Sequence, residues 1–147
     1  MDTLEMFLRL GFAALVGVAL GLNRDLRGKP TGVRTLGLVG VASCVAVLAV
    51  THTEEGNIGR VIQGIVTGIG FLGAGVIVHI NSSKDIHGLT TAACVWLTAC
   101  IGAACAVGEW KVILLSTPLI AVILIFGGPL ERWVRRHWPG QDNPDES

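Results

Sequence analysis

Polar residues interrupt this chain at widely spaced points, and between them run apolar stretches too long and too uniform for helices that keep one face in water. Five such stretches cover residues 4–22, 35–50, 60–78, 89–107 and 112–129. A helix needs about 20 residues to cross the hydrocarbon layer of a bilayer, and each stretch is close to that length. None shows the period-two alternation of a membrane barrel, and in lipid only helices and closed barrels satisfy their backbone internally. The pattern predicts an all-α polytopic membrane bundle of about five transmembrane helices over residues 1–131, followed by a polar tail over 132–147.

Composition strengthens that reading. The chain is 51% hydrophobic before its 20 glycines are counted and only 15% charged, whereas soluble domains carry about 25% charged residues. The N-terminus opens on Asp2 and Glu5 rather than a basic segment, and more apolar stretches follow, so the first stretch does not read as a cleaved signal. A formal net charge of zero gives no basic field for a nucleic-acid partner. Cys44, Cys94, Cys100 and Cys105 all lie inside apolar runs with no CxxC, which suits small packing residues rather than a zinc or redox site.

Lysine and arginine set the expected orientation, because cytoplasmic loops carry their excess. With five spans, Arg24, Arg27, Lys29, Arg34, Lys84, Arg132, Arg135 and Arg136 share one side. Arg9, Arg60 and Lys111 fall on the other with Asp2, Glu5, Glu54, Glu55 and Glu109. An outside N-terminus and a cytoplasmic C-terminus follow. Trp110 and Trp133 bracket the fifth stretch as interface anchors.

Helices in lipid associate through small residues that let backbones approach. Gly17 with Gly21 and Gly64 with Gly68 form GxxxG pairs, and Gly70, Gly73 and Gly75 extend the second stripe, so these glycines are the expected packing positions. Pro118 is a kink candidate, and Glu5 precedes Arg9 by four residues, the favourable order for an ion pair. An offset of 56 residues also brings Gly17, Gly32, Thr35 and Cys44 onto Gly73, Gly88, Thr91 and Cys100. That suggests a parallel repeat about an axis normal to the membrane.

Candidate chemistry is sparse. Gly68-Ile69-Gly70-Phe71-Leu72-Gly73 spells GxGxxG, but no strand or turn precedes it, so packing explains it better than nucleotide binding. In the segment from Asn23 to Thr35, Pro30 and Gly32 force a turn that places Arg34 and Thr35 at the start of the second span. Asn23, Arg24, Asp25 and Arg34 then form either a cytoplasmic charge cluster or an ordinary positive-inside loop. Arg60, Gln63 and Thr67 recur at helical spacing and point into the bundle or a wet cavity. His79, Asp85 and His87 precede Thr90 and Thr91 without metal-ligand spacing. No catalytic pattern, metal site or cofactor motif emerges. All eleven carboxylates lie in loops, at span ends or in the tail. A Mg²⁺ carrier is therefore disfavoured, because that ion prefers carboxylates and retained waters.

Three motifs carry a resemblance: the run from Gly21 to Thr35, the stretch from Arg60 that ends in GIGFLGAG at Gly75, and GLTTAA with Trp96. In this order and spacing they resemble the MgtC/SapB family of bacterial inner-membrane proteins, here as a short form holding the membrane domain only. The resemblance implies five spans in a bacterial plasma membrane and a link to growth at low Mg²⁺, magnesium homeostasis, virulence and intracellular stress. It implies a non-enzymatic regulator that acts through membrane-protein partners such as the F-type ATP synthase; a homo-oligomer is expected under this reading and the competing one alike. The competing expectation is a channel or transporter for an ion or small solute, Mg²⁺ included. Family members commonly carry an acid where this chain has Asn23, and a glutamine where it has Gly64 next to Gln63.

Overall fold

A computed structural model describes residues 1–51, 55–78 and 88–138. Five α-helices follow in order: α1 (Thr3–Asp25), α2 (Val33–Leu48), α3 (Glu55–Val78), α4 (Leu89–Val107) and α5 (Trp110–His137). There are no strands among the described residues. Four helices are long and apolar enough to cross a membrane, and α2 is a shorter apolar helix of 16 residues. The chain divides into two compact units, Met1–Ile113 and Leu114–Ser147.

In the first unit α2 and α4 form the centre, because their faces carry small residues. Along α1, Gly17 lies against the Leu36 backbone, Gly21 against Val33, and Ala13 against Gly40, so α2 runs antiparallel to α1 for nearly its whole length. At the α2–α4 crossing a Cβ on Gly102 would strike the Gly40 carbonyl oxygen, and Ser43 packs beside it. The buried apolar side chains continue this centre: Ala13, Val16 and Leu20 from α1, Leu36, Cys44 and Val47 from α2, and Cys94, Val95, Ala99 and Cys105 from α4. Burial falls off sharply toward α3. Its spanning segment is 6% buried, against 56% for α4.

The contacts echo the repeat seen in the sequence. Gly17 meets Leu36, and Gly73, 56 residues on, meets Ala92, 56 residues beyond Leu36. Gly21 meets Gly32, and their counterparts Ile77 and Gly88 also meet. The α1–α2 and α3–α4 pairs are thus built alike, with α2 and α4 as the inner helices.

Backbone conformation explains the helix ends. Gly88 and Gly108, at φ +93° and +80°, bound α4 in the left-handed region that favours glycine. In the second unit, α5 runs through Pro118 and Pro129 to His137, past the end expected at residue 129. A proline removes one hydrogen bond, and the residues from Leu130 to His137 include neither glycine nor proline, so the helix resumes. The start of the expected polar tail is therefore helical.

Candidate functional site

The polar groups read from the sequence separate into three places. At one end of the first unit, Arg24 sits in the last turn of α1 and is 4% exposed. Its guanidinium donates a hydrogen bond to the Thr91 hydroxyl in the first turn of α4. Three buried atoms here have no hydrogen-bond partner among the described residues: Arg24 Nε, Asn23 Oδ1 and Thr31 Oγ1. Thr31 itself has φ +62°, so the turn after Gly28 bends through two left-handed positions.

Asp25 does something different. Its Oδ2 accepts the Val33 backbone N–H at 2.9 Å, which caps α2, and a Cβ on Gly32 would run into this carboxylate. Gly32 has no side chain to cap the helix, so an acid seven residues earlier supplies the missing acceptor. Arg34 and Thr35 are exposed, and Arg34 makes no ion pair among the described residues. Thr90 is likewise exposed. The structure thus joins Arg24 to Thr91 and Asp25 to the start of α2, and leaves Arg34 apart.

At the opposite end, Arg9 pairs with Glu5 at 2.6 Å and also donates to the Ala106 carbonyl near the end of α4. Its guanidinium lies over Gly108, where a larger residue would collide with it. A cation bonded to the last carbonyls of a helix complements the helix dipole. This capping role was not legible in the sequence, because 97 residues separate Arg9 from Ala106. Beside it, Phe12 and Trp110 pack edge to face with centroids 5.6 Å apart.

The third place is α3. Arg60, Gln63 and Thr67 are all exposed and have no hydrogen-bond or ion-pair partner among the described residues. Gly64, Gly68, Gly70 and Gly75 have open space where a Cβ would sit, whereas Gly73 faces Ala92 of α4. An apolar groove of about 330 Å³ runs between α3 and α4, lined among others by Gly70, Gly73, Ala92 and Trp96. His79, Asp85 and His87 lie outside the described residues. Among those described, no group of three His, Cys, Asp or Glu residues is placed to hold a metal.

Two packing positions were missed in the sequence reading: Gly40 and Gly102. The signal was present, since Gly40 with Cys44 and Gly102 with Ala106 are small-xxx-small pairs.

Comparison with known proteins settles the family. The model of the MgtC family matches residues 10–133. The chain belongs to the MgtC family. Its relatives include Protein SrpB of Synechococcus elongatus, 36% identical over 93% of this chain and 84% of that protein. Protein MgtC of Salmonella typhimurium is 40% identical over 77% of this chain and 48% of that protein. Protein SapB of Bacillus subtilis is 35% identical over 83% of this chain and 56% of that protein. This MgtC-family chain therefore spans most of SrpB but only about half of MgtC and SapB. No solved structure matches it.

Proposed function

We propose that this MgtC-family chain is a non-enzymatic regulator of the bacterial inner membrane that acts by docking another membrane protein on the outward face of α3. One observation carries the reading. At the repeat offset, the exposed α1 residues Leu4, Phe7 and Leu8 correspond to Arg60, Gln63 and Gly64 of α3. The face that α1 offers to lipid as large hydrocarbon is, on α3, a row of hydrogen-bonding groups and bare backbone. Polar groups at membrane depth face the protein interior or water rather than lipid, and small residues admit a neighbouring helix. Family resemblance points to the F-type ATP synthase as the partner, and to low Mg²⁺ or intracellular stress as the setting.

The same face supports a second reading, in which copies of the chain assemble around a polar path for an ion or small solute. Gln63 and Thr67 would line that path. Among the described residues the only acids in the apolar spans stand at their ends, such as Glu5 and Asp25, so Mg²⁺ would find few of its preferred ligands there.

A photo-crosslinker placed at residue 64 in native membranes separates the two readings. Docking predicts adducts with membrane subunits of the ATP synthase that disappear on Gly68→Leu, and no solute flux in liposomes holding the pure protein. Adducts with its own copies alone, together with flux abolished by Gln63→Leu, would replace the regulator with a channel.

A further inference from the structure

Helix α5 contains 28 residues, and at 1.5 Å per residue its length is about 42 Å, well beyond the roughly 30 Å hydrocarbon layer. Up to Pro129 the helix is almost wholly apolar on every side, and from Leu130 onward its character changes. At 3.6 residues per turn, Leu130, Trp133, Val134, His137 and Trp138 fall on one side of the helix, and Arg132 and Arg136 on the other.

The two sides are held apart by local contacts. The Trp133 and His137 rings stack with centroids 4.6 Å apart and 31° between their planes. His137 Nδ1 lies 3.0 Å from the Trp133 carbonyl oxygen, and the Trp138 N–H bonds the Val134 carbonyl at 2.8 Å, which carries the helical turn past the end of α5. Arg132 and Arg136 are exposed and make no ion pair among the described residues. Residues 130–138 hold three arginines against one acid, Glu131.

We infer that the last two turns of α5 form a binding site for anionic phospholipid headgroups. The aromatic side beds into the boundary between headgroups and acyl chains, where tryptophan concentrates. The arginines opposite reach the phosphates, to which guanidinium groups bind with two parallel hydrogen bonds. An amphipathic end with aromatic and basic sides has the chemistry of an interfacial segment, and the positive charge selects an anionic partner over a zwitterionic one. This site is independent of the α3 face and of any protein partner docked there.

The test uses the full chain with Trp96→Phe and Trp110→Phe, so that Trp133 and Trp138 alone report, reconstituted in phosphatidylcholine bilayers. Brominated phosphatidylglycerol should quench their fluorescence at a lower mole fraction than brominated phosphatidylcholine, with each arginine adding about five-fold to the preference. The preference should collapse in Arg132→Gln/Arg136→Gln, persist in Arg132→Lys/Arg136→Lys, and shrink as salt is raised. Equal quenching by the two lipids, or a preference that survives the double glutamine variant, would overturn the site. The ratio of the two lipids retained by the unsubstituted chain on extraction reads the same quantity without the phenylalanine replacements.

Discussion

Arg24 and Asp25 are neighbours in sequence with opposite charges, yet the helix sends them different ways. Arg24 turns into the bundle and reaches Thr91, and Asp25 stays outside and caps α2 through the Val33 N–H. A capping acid works as an acceptor, which an amide oxygen also provides, so the two substitutions that test it should differ. Asp25→Ala removes the acceptor and should lower stability by about 1 kcal/mol, the usual loss at a helix N-terminus. Asp25→Asn should retain most of that stability. Thermal unfolding in a mild detergent measures both. Equal loss from the two variants would show that charge matters, in the sense of a pair with a cation, and would return Asp25 to the cytoplasmic charge cluster.

At the scale of helices, the α2–α4 crossing is the most closely packed contact, and Gly102 and Gly40 set its distance. Adding one methyl at Gly102 forces it against the Gly40 backbone, which cannot rotate away as a side chain would. Gly102→Ala should therefore destabilise the protein by about 1–3 kcal/mol, the range for overpacking. Gly68→Ala, with open space around it, should be nearly silent in the isolated chain. Equal effects at the two sites, measured by the same unfolding assay, would contradict this packing. The contrast also shows what a sequence conveys about a membrane bundle. The apolar lengths announced the helices, and the stretch 89–107 coincides with α4, whose ends the structure shows at Gly88 and Gly108 in the left-handed region. Glycine spacing showed which residues are able to pack, but not against what. The stripe on α3 was an expected packing face and is open within the chain except at Gly73, while Gly40 and Gly102, less conspicuous in sequence, make the tightest crossing. The loop from Asn23 to Thr35 was half legible for a similar reason. The turn at Pro30 and Gly32 could be foreseen, but the partnership of Arg24 with a residue 67 positions away could not.

For the molecule as a whole, the number of crossings depends on α2, whose 16 residues make it about 24 Å long. Taken alone, that is short of the hydrocarbon thickness. Its contacts say more than its length: Val33 lies beside Gly21, Leu36 beside Gly17, and Gly40 beside Ala13, so α2 covers the same depth as the apolar part of α1. It packs on α1 and α4 while leaving Leu38 and Val45 exposed, and a small mismatch of this kind costs only fractions of a kcal/mol per Å. A crossing α2 makes five in all and puts the two chain termini on opposite sides, whereas a helix that enters and returns would put them on the same side. With five crossings, the excess of basic residues between the first two helices and after the fifth predicts that those segments face the cytoplasm. Fusions made after residue 147 should accordingly fluoresce as a cytoplasmic reporter and fail as an exported phosphatase, and fusions made after residue 109 should do the reverse. If a fusion made after residue 28 reports the same side as one made after residue 109, α2 does not cross, because α3 and α4 alone return the chain to its starting side, and α3 then runs in the opposite direction through the membrane.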